Sequence, residues 1–96
     1  MEQFVIARFY ARENQGGAVA KAMGEIAKSL RAEPGCLSYT AYRSIRDPQL
    51  FFMQSRWDSE AAFERHAEVP HMLRFLGHIE TLVDRPLDLY RMTQIA

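Results

Sequence analysis

The sequence has a single cysteine, Cys36, among 96 residues. A lone thiol cannot close an intrachain disulfide, so nothing points to an oxidising compartment. An excess of one charge sign is also missing. Twelve Lys and Arg balance twelve Asp and Glu, for a formal net charge of zero. Nucleic acid and anionic membrane both require a basic patch, so neither is the expected partner. No apolar run approaches the ~20 residues of a membrane span. The opening "MEQFVIARFYAR" lacks a basic start followed by an apolar stretch, so no secretory signal is read there and the expected location is the cytoplasm. GxGxxG and P-loop patterns are absent, as are HxxxH, HExxH and CxxC spacings. No cofactor and no metal are therefore expected.

What is present is ordinary globular composition, with 48% hydrophobic and 25% charged residues. The length implies one domain, spanning residues 1–96. A chain this short buries roughly 60–65% of its unfolded surface, which makes a thin core.

"QFVIARFYAR" (Gln3 to Arg12) is rich in β-branched and aromatic residues and reads as a strand. "ENQGG" reads as a turn. From Ala18, apolar residues recur at Val19, Met23, Ile26, Ala27 and Leu30, a helical spacing that "EPG" ends at Glu33 to Gly35. Cys36 to Ile45 and Leu50 to Trp57 form two strands joined by the "RDPQ" turn. Asp58 or Ser59 caps a further helix, and Pro70 interrupts it and starts another. Met72, Phe75, Leu76, Ile79, Leu82 and Val83 form the stripe of this last helix, and Leu87 to Ile95 is the final strand. The order β-α-β-β-α-β predicts a ferredoxin-like α+β fold with an antiparallel sheet.

Helices on one face of a sheet leave the other face to be polar. Here the first strand carries Phe4, Ile6 and Tyr10 on one face and Val5, Ala7 and Phe9 on the other. The third carries Leu50 and Phe52 against Phe51, Met53 and Trp57. The economical cover for the second face is another copy of the chain, giving a homodimer through the sheet face.

"WDSEAAFERHAEVPH" (Trp57 to His71) holds the only tryptophan and two of the three histidines. In a helix starting near Ser59, Ala62, Phe63 and His66 share one face, which directs His66 toward the core beneath Trp57. His71 follows Pro70 at the edge of the apolar stripe, with His78 two turns on. Histidine suits a general base because it titrates near neutrality. Either imidazole can equally be half-buried and satisfied by a backbone carbonyl. Phe63, Met72 and Phe75 are expected to wall a dry cavity. Tyr10, Tyr39, Tyr42 and Tyr90 all lie in strands, and Tyr39 and Tyr90 are the candidates to place a hydroxyl in that cavity. No aromatic-rich segment of RNA-binding type accompanies this fold order.

Taken together, the first strand and helix, "EPGCLSY", "DPQLFFMQSRW" and "WDSEAAFERHAEVPH" resemble the antibiotic biosynthesis monooxygenase family of the dimeric α+β barrel proteins. The resemblance spans nearly the whole chain. It implies a homodimer whose sheets face each other, each subunit keeping a pocket between helices and sheet. It also implies cofactor-independent oxidation of an aromatic or quinol-like small molecule by O2, with Trp57, His66 and His71 matching the family's motif residues. His66 or His71 is the implied base, and Trp57 the surface on which substrate packs. Relatives with other roles, such as isomerases, haem-degrading oxygenases or non-catalytic binding or stress-response dimers, are the alternatives. Two departures stand out. Ser55 occupies a position that is often glutamate, and the first strand lacks the asparagine of the haem-degrading members.

Overall fold

Alternation along the first strand sets the layers. In the computed structural model, which describes residues 1–96, β1 (Gln3–Tyr10) buries Val5, Ala7 and Phe9 on the helix side. Phe4, Ile6, Arg8 and Tyr10 lie on the other face, only partly buried. The chain continues through α1 (Gly16–Arg31), β2 (Cys36–Arg43), β3 (Leu50–Trp57), α2 (Glu60–His66), α3 (Pro70–Glu80) and β4 (Asp88–Met92). All strand pairs are antiparallel, in the order β2-β3-β1-β4. This is the expected ferredoxin-like arrangement, with its second helix split at Pro70. Proline suits the first helical position, where no N–H partner is needed.

Several boundaries differ from the sequence reading. The reversal after β1 is made by Asn14 at φ 67°, a left-handed conformation asparagine tolerates. Gly16 and Gly17 already belong to α1 rather than to the turn. β1 stops at Tyr10 because Ala11 bridges to Val83 and the Arg12 N–H bonds to the Leu82 carbonyl, tying the chain to the end of α3. β2 ends at Arg43, two residues short of Ile45. β4 covers only Asp88–Met92, the residues that pair with Phe4 to Arg8, rather than Leu87 to Ile95. The β2–β3 turn forms as expected. Ser44 Oγ accepts from the Asp47 N–H at 3.1 Å and Asp47 Oδ1 from the Gln49 N–H at 3.0 Å.

The main core lies between the sheet and the helices α1 and α3, with Phe9, Phe51, Met23, Val19 and Ile79 almost fully buried. A smaller cluster of Val5, Trp57, Ala62 and Phe63 lies beside it, under α2. No helix covers the opposite sheet face. It presents Phe4, Ile6, Tyr10, Leu50 and Phe52, flanked by the half-exposed Tyr42, Tyr90 and Met92. The register sets Ile6 against Tyr90, Phe4 against Met92 and Phe52 against Tyr42. Arg8 pairs with Asp88 at 2.6 Å on this face. Both sheet faces are thus apolar, as the strand patterns predicted. No helix is long and apolar enough to cross a membrane.

Candidate active site between the end of α1 and the α2–α3 elbow

The site begins with a turn that only glycine can make. Gly35 has φ +86°, and a Cβ there would stand 2.5 Å from Ala62 Cβ and 2.8 Å from Asp58 Oδ1. The Gly35 carbonyl accepts from the Asp58 N–H at 2.9 Å. The end of α1 is therefore held against the start of α2. Glu33, two residues earlier, turns its side chain into the junction, where it is only 8% exposed.

Across the junction, Ser59 caps α2, its Oγ accepting from the Ala62 N–H at 3.1 Å. The buried face of α2 presents Ala62, Phe63 and His66, as its spacing predicted. The His66 ring stacks on Trp57, centroids 4.5 Å apart and planes inclined at 32°. Phe63 meets the same indole edge-on at 6.1 Å. His66 Nδ1 lies 2.8 Å from Glu33 Oε2, and His71 Nε2 lies 3.2 Å from the same oxygen. An ionised carboxylate only accepts, so both facing nitrogens donate. His66 Nε2 makes no hydrogen bond within the chain and is not sealed off. Charge-assisted bonds of this kind contribute about 1.5–3 kcal/mol each.

His66 borders two spaces. One is an open groove of about 630 Å³, shared with Glu33, Pro34, Arg65, Pro70 and His71. The other is an apolar cavity of about 130 Å³ between the sheet and the helices α2 and α3. Val5, Ala7, Phe9 and Met53 form its floor, Phe63, Ala67, Met72 and Leu76 its roof, and Leu87 with the half-exposed Leu89 its rim. Its only polar lining residues are His66 and Ser55. Ser55 Oγ accepts from Trp57 Nε1–H at 3.0 Å.

His66, Phe63 and Met72 thus line the cavity, Trp57 lies directly beneath His66, and His71 joins from the groove side. Three other expected cavity residues do not reach it. Phe75 belongs to the main core with Ile79. Tyr39 points under α1, its hydroxyl donating to the Met23 carbonyl at 3.1 Å. Burial pushes that hydroxyl up to about 12, against the opposing pull of Arg31, so it stays a protonated packing group. Tyr90 pairs with Ile6 on the open sheet face, the side away from His66. Cys36 donates weakly to the Ser38 carbonyl, and burial followed by the nearby charge of Glu33 pushes its thiol up, which leaves it a poor nucleophile. No three His, Cys, Asp or Glu side chains are arranged to hold a metal ion.

Glu33 is the residue of this cluster that the sequence reading missed. It served there only as a helix stop. Its partner His66 is 33 residues away, so no local spacing announces the pair.

The profile described as antibiotic biosynthesis monooxygenase matches residues 3–77. The Mycobacterium tuberculosis protein Rv0793, whose name places it provisionally among the monooxygenases, is 32% identical over 83 residues, 86% of this chain and 81% of that protein. The solved structure of Rv0793 superposes with a TM-score of 0.93 at 27% identity, covering 100% of this chain and 97% of the other. The crystal structure of PA3566 from Pseudomonas aeruginosa gives a TM-score of 0.91 at 29% identity, covering 99% and 95%.

Proposed function

Because the chain belongs to the antibiotic biosynthesis monooxygenase family, with a function of monooxygenase type, we propose that it is a cytoplasmic, cofactor-independent monooxygenase that oxidises a small aromatic or quinol-like molecule with O2. The observation that carries this reading is the placement of His66. Its Nδ1 edge is engaged by Glu33, while its free Nε2 edge belongs to a ring lining an apolar cavity.

In this reading His66 Nε2 takes the proton of the substrate hydroxyl. The imidazolium that forms is stabilised by the Glu33 carboxylate at 2.8 Å. Trp57 holds the imidazole plane by stacking, and His71 fixes the carboxylate from the other side. The phenolate is electron-rich and passes electrons directly to O2, while the apolar walls exclude water. The stoichiometry closes without an outside reductant. A hydroquinone supplies four electrons, one oxygen atom enters the ring to give a hydroxyquinone, and the other leaves as water.

The reading includes a homodimer. The open face carries Phe4, Ile6, Leu50 and Phe52, with its central arginine already paired to Asp88. A second copy would cover this face at little electrostatic cost, as the chain is formally neutral.

The test is oxygen uptake with 1,4-dihydroxybenzene and 1,4-dihydroxynaphthalene in chelator-treated, flavin-free buffer, corrected for autoxidation. Protein-dependent uptake with one labelled oxygen atom in the product is expected. Binding of these compounds without uptake would instead make the chain a small-molecule binder. A Soret shift on titration with haemin would move the reading to a haem protein.

A further inference from the structure

The cavity has two polar residues, and the proposed function uses only one. Ser55 sits on β3 directly between Val5 of β1 and Tyr39 of β2, so its side chain faces the helices. Its oxygen accepts the indole N–H of Trp57 at 3.0 Å. That bond gives the buried indole its partner and fixes the serine oxygen. The serine O–H, by contrast, donates to no acceptor within the chain, and Ser55 lines the cavity. A hydroxyl with no acceptor in the chain, in a wall otherwise apolar apart from His66, is available to a ligand.

We propose that the Ser55 hydroxyl donates to a second oxygen of the substrate, so that the preferred ligand is a single-ring arene bearing two oxygens, one at His66 and one at Ser55. The inference rests on the proposed role of His66. Three observations support it. The cavity of about 130 Å³ is close to the ~150 Å³ at which an apolar cavity accepts benzene, so it suits one ring. Trp57 is 1% exposed and touches both polar groups, stacking under His66 and donating to Ser55. The spacing of base and donor is thus set by one buried indole, which favours a ligand with two oxygens at a fixed separation. Finally, a ligand oxygen entering this apolar space has only these two residues with which to replace its lost water.

The test is anaerobic binding, which requires no turnover. Phenol and 1,4-dihydroxybenzene are titrated by calorimetry into the wild type and into Ser55→Ala. A neutral hydrogen bond corresponds to about fivefold in affinity, so the wild type should bind the dihydroxy compound about fivefold tighter than phenol. S55A should lose that preference while still binding phenol. The ratio of the two affinities is insensitive to the folded fraction, so moderate destabilisation of S55A does not blur it. If S55A does not fold, the wild type alone decides: equal affinity for the two ligands overturns the proposal. A preference that survives in S55A overturns it as well and leaves the role of His66 standing. Failure of the wild type to bind either ring would bring down the proposed function along with it.

Discussion

Replacing Glu33 with Gln changes one charge and almost no volume. In the wild type, Glu33 Oε2 receives His66 Nδ1 at 2.8 Å and His71 Nε2 at 3.2 Å, with the carboxylate 8% exposed. A glutamine carbonyl can still accept from His66, but the bond is no longer charge-assisted. Such bonds fall from about 1.5–3 to about 0.5–1.5 kcal/mol. The loss bears on the step in which His66 becomes an imidazolium, so it raises that barrier by about 1–1.5 kcal/mol. Turnover should fall by roughly 5–15-fold. The assay is steady-state oxygen uptake on Glu33→Gln, His66→Ala and the double variant, with thermal melts on each. If Glu33 acts through His66, the double variant should be no slower than His66→Ala alone, because the two residues work as a unit. Wild-type turnover in E33Q would show that Glu33 only holds the helices together. Multiplying effects in the double variant would show that it acts elsewhere.

His66→Ala should cut turnover by ~10²–10⁴, the scale of a general base, whereas His71→Ala should cost less than about tenfold; the reverse order would exchange their roles. Gly35→Ala must accommodate φ +86° and a methyl group 2.5 Å from Ala62 Cβ. A cost of about 2–4 kcal/mol should lower the melting temperature by at least ~8 °C in calorimetry. The folded protein holds the Tyr39 proton more tightly than the unfolded chain, so that contribution is intact below pH 10 and is lost as pH rises toward about 12. Denaturant melts of Tyr39→Phe should show about 1 kcal/mol less stability at pH 7 and a weaker alkaline decline than the wild type. Light scattering at micromolar concentration should return twice the chain mass, and Phe52→Lys, in the open sheet face, should return the monomer.

The strands and helices were legible because their periodicities are local. Phe63 and His66 fall on one face of α2 by spacing alone, and Pro70 marks the elbow in the text of the sequence. The contents of the site were less legible. Glu33 meets His66 only because Gly35 packs against Ala62, a contact between distant segments. Tyr90 was assigned to the cavity, but the alternation of Leu87 and Leu89 already turns Tyr90 to the other face once β4 is in register. Tyr39 does face the helices, yet α1 lies over it rather than the cavity, a matter of which helix covers which strand. Ser55 looked like a gap in a pattern, and the indole beside it shows what it holds.

The wall of the cavity is also the folding core. Ala7, Phe9, Met53 and Met72 belong to the principal buried cluster, and Val5 and Phe63 to the smaller one. Truncating one such side chain costs about 2–5 kcal/mol, a large part of the ~5–15 kcal/mol that keeps a domain folded. Under the proposed function, making room for a larger molecule by hollowing out the floor or roof would cost much of the stability of the fold. The tolerant part is the rim, where half-exposed Leu89 sits on the five-residue edge strand β4. Ligand size in this lineage should diverge by changes at that edge, with the interior inherited almost unchanged.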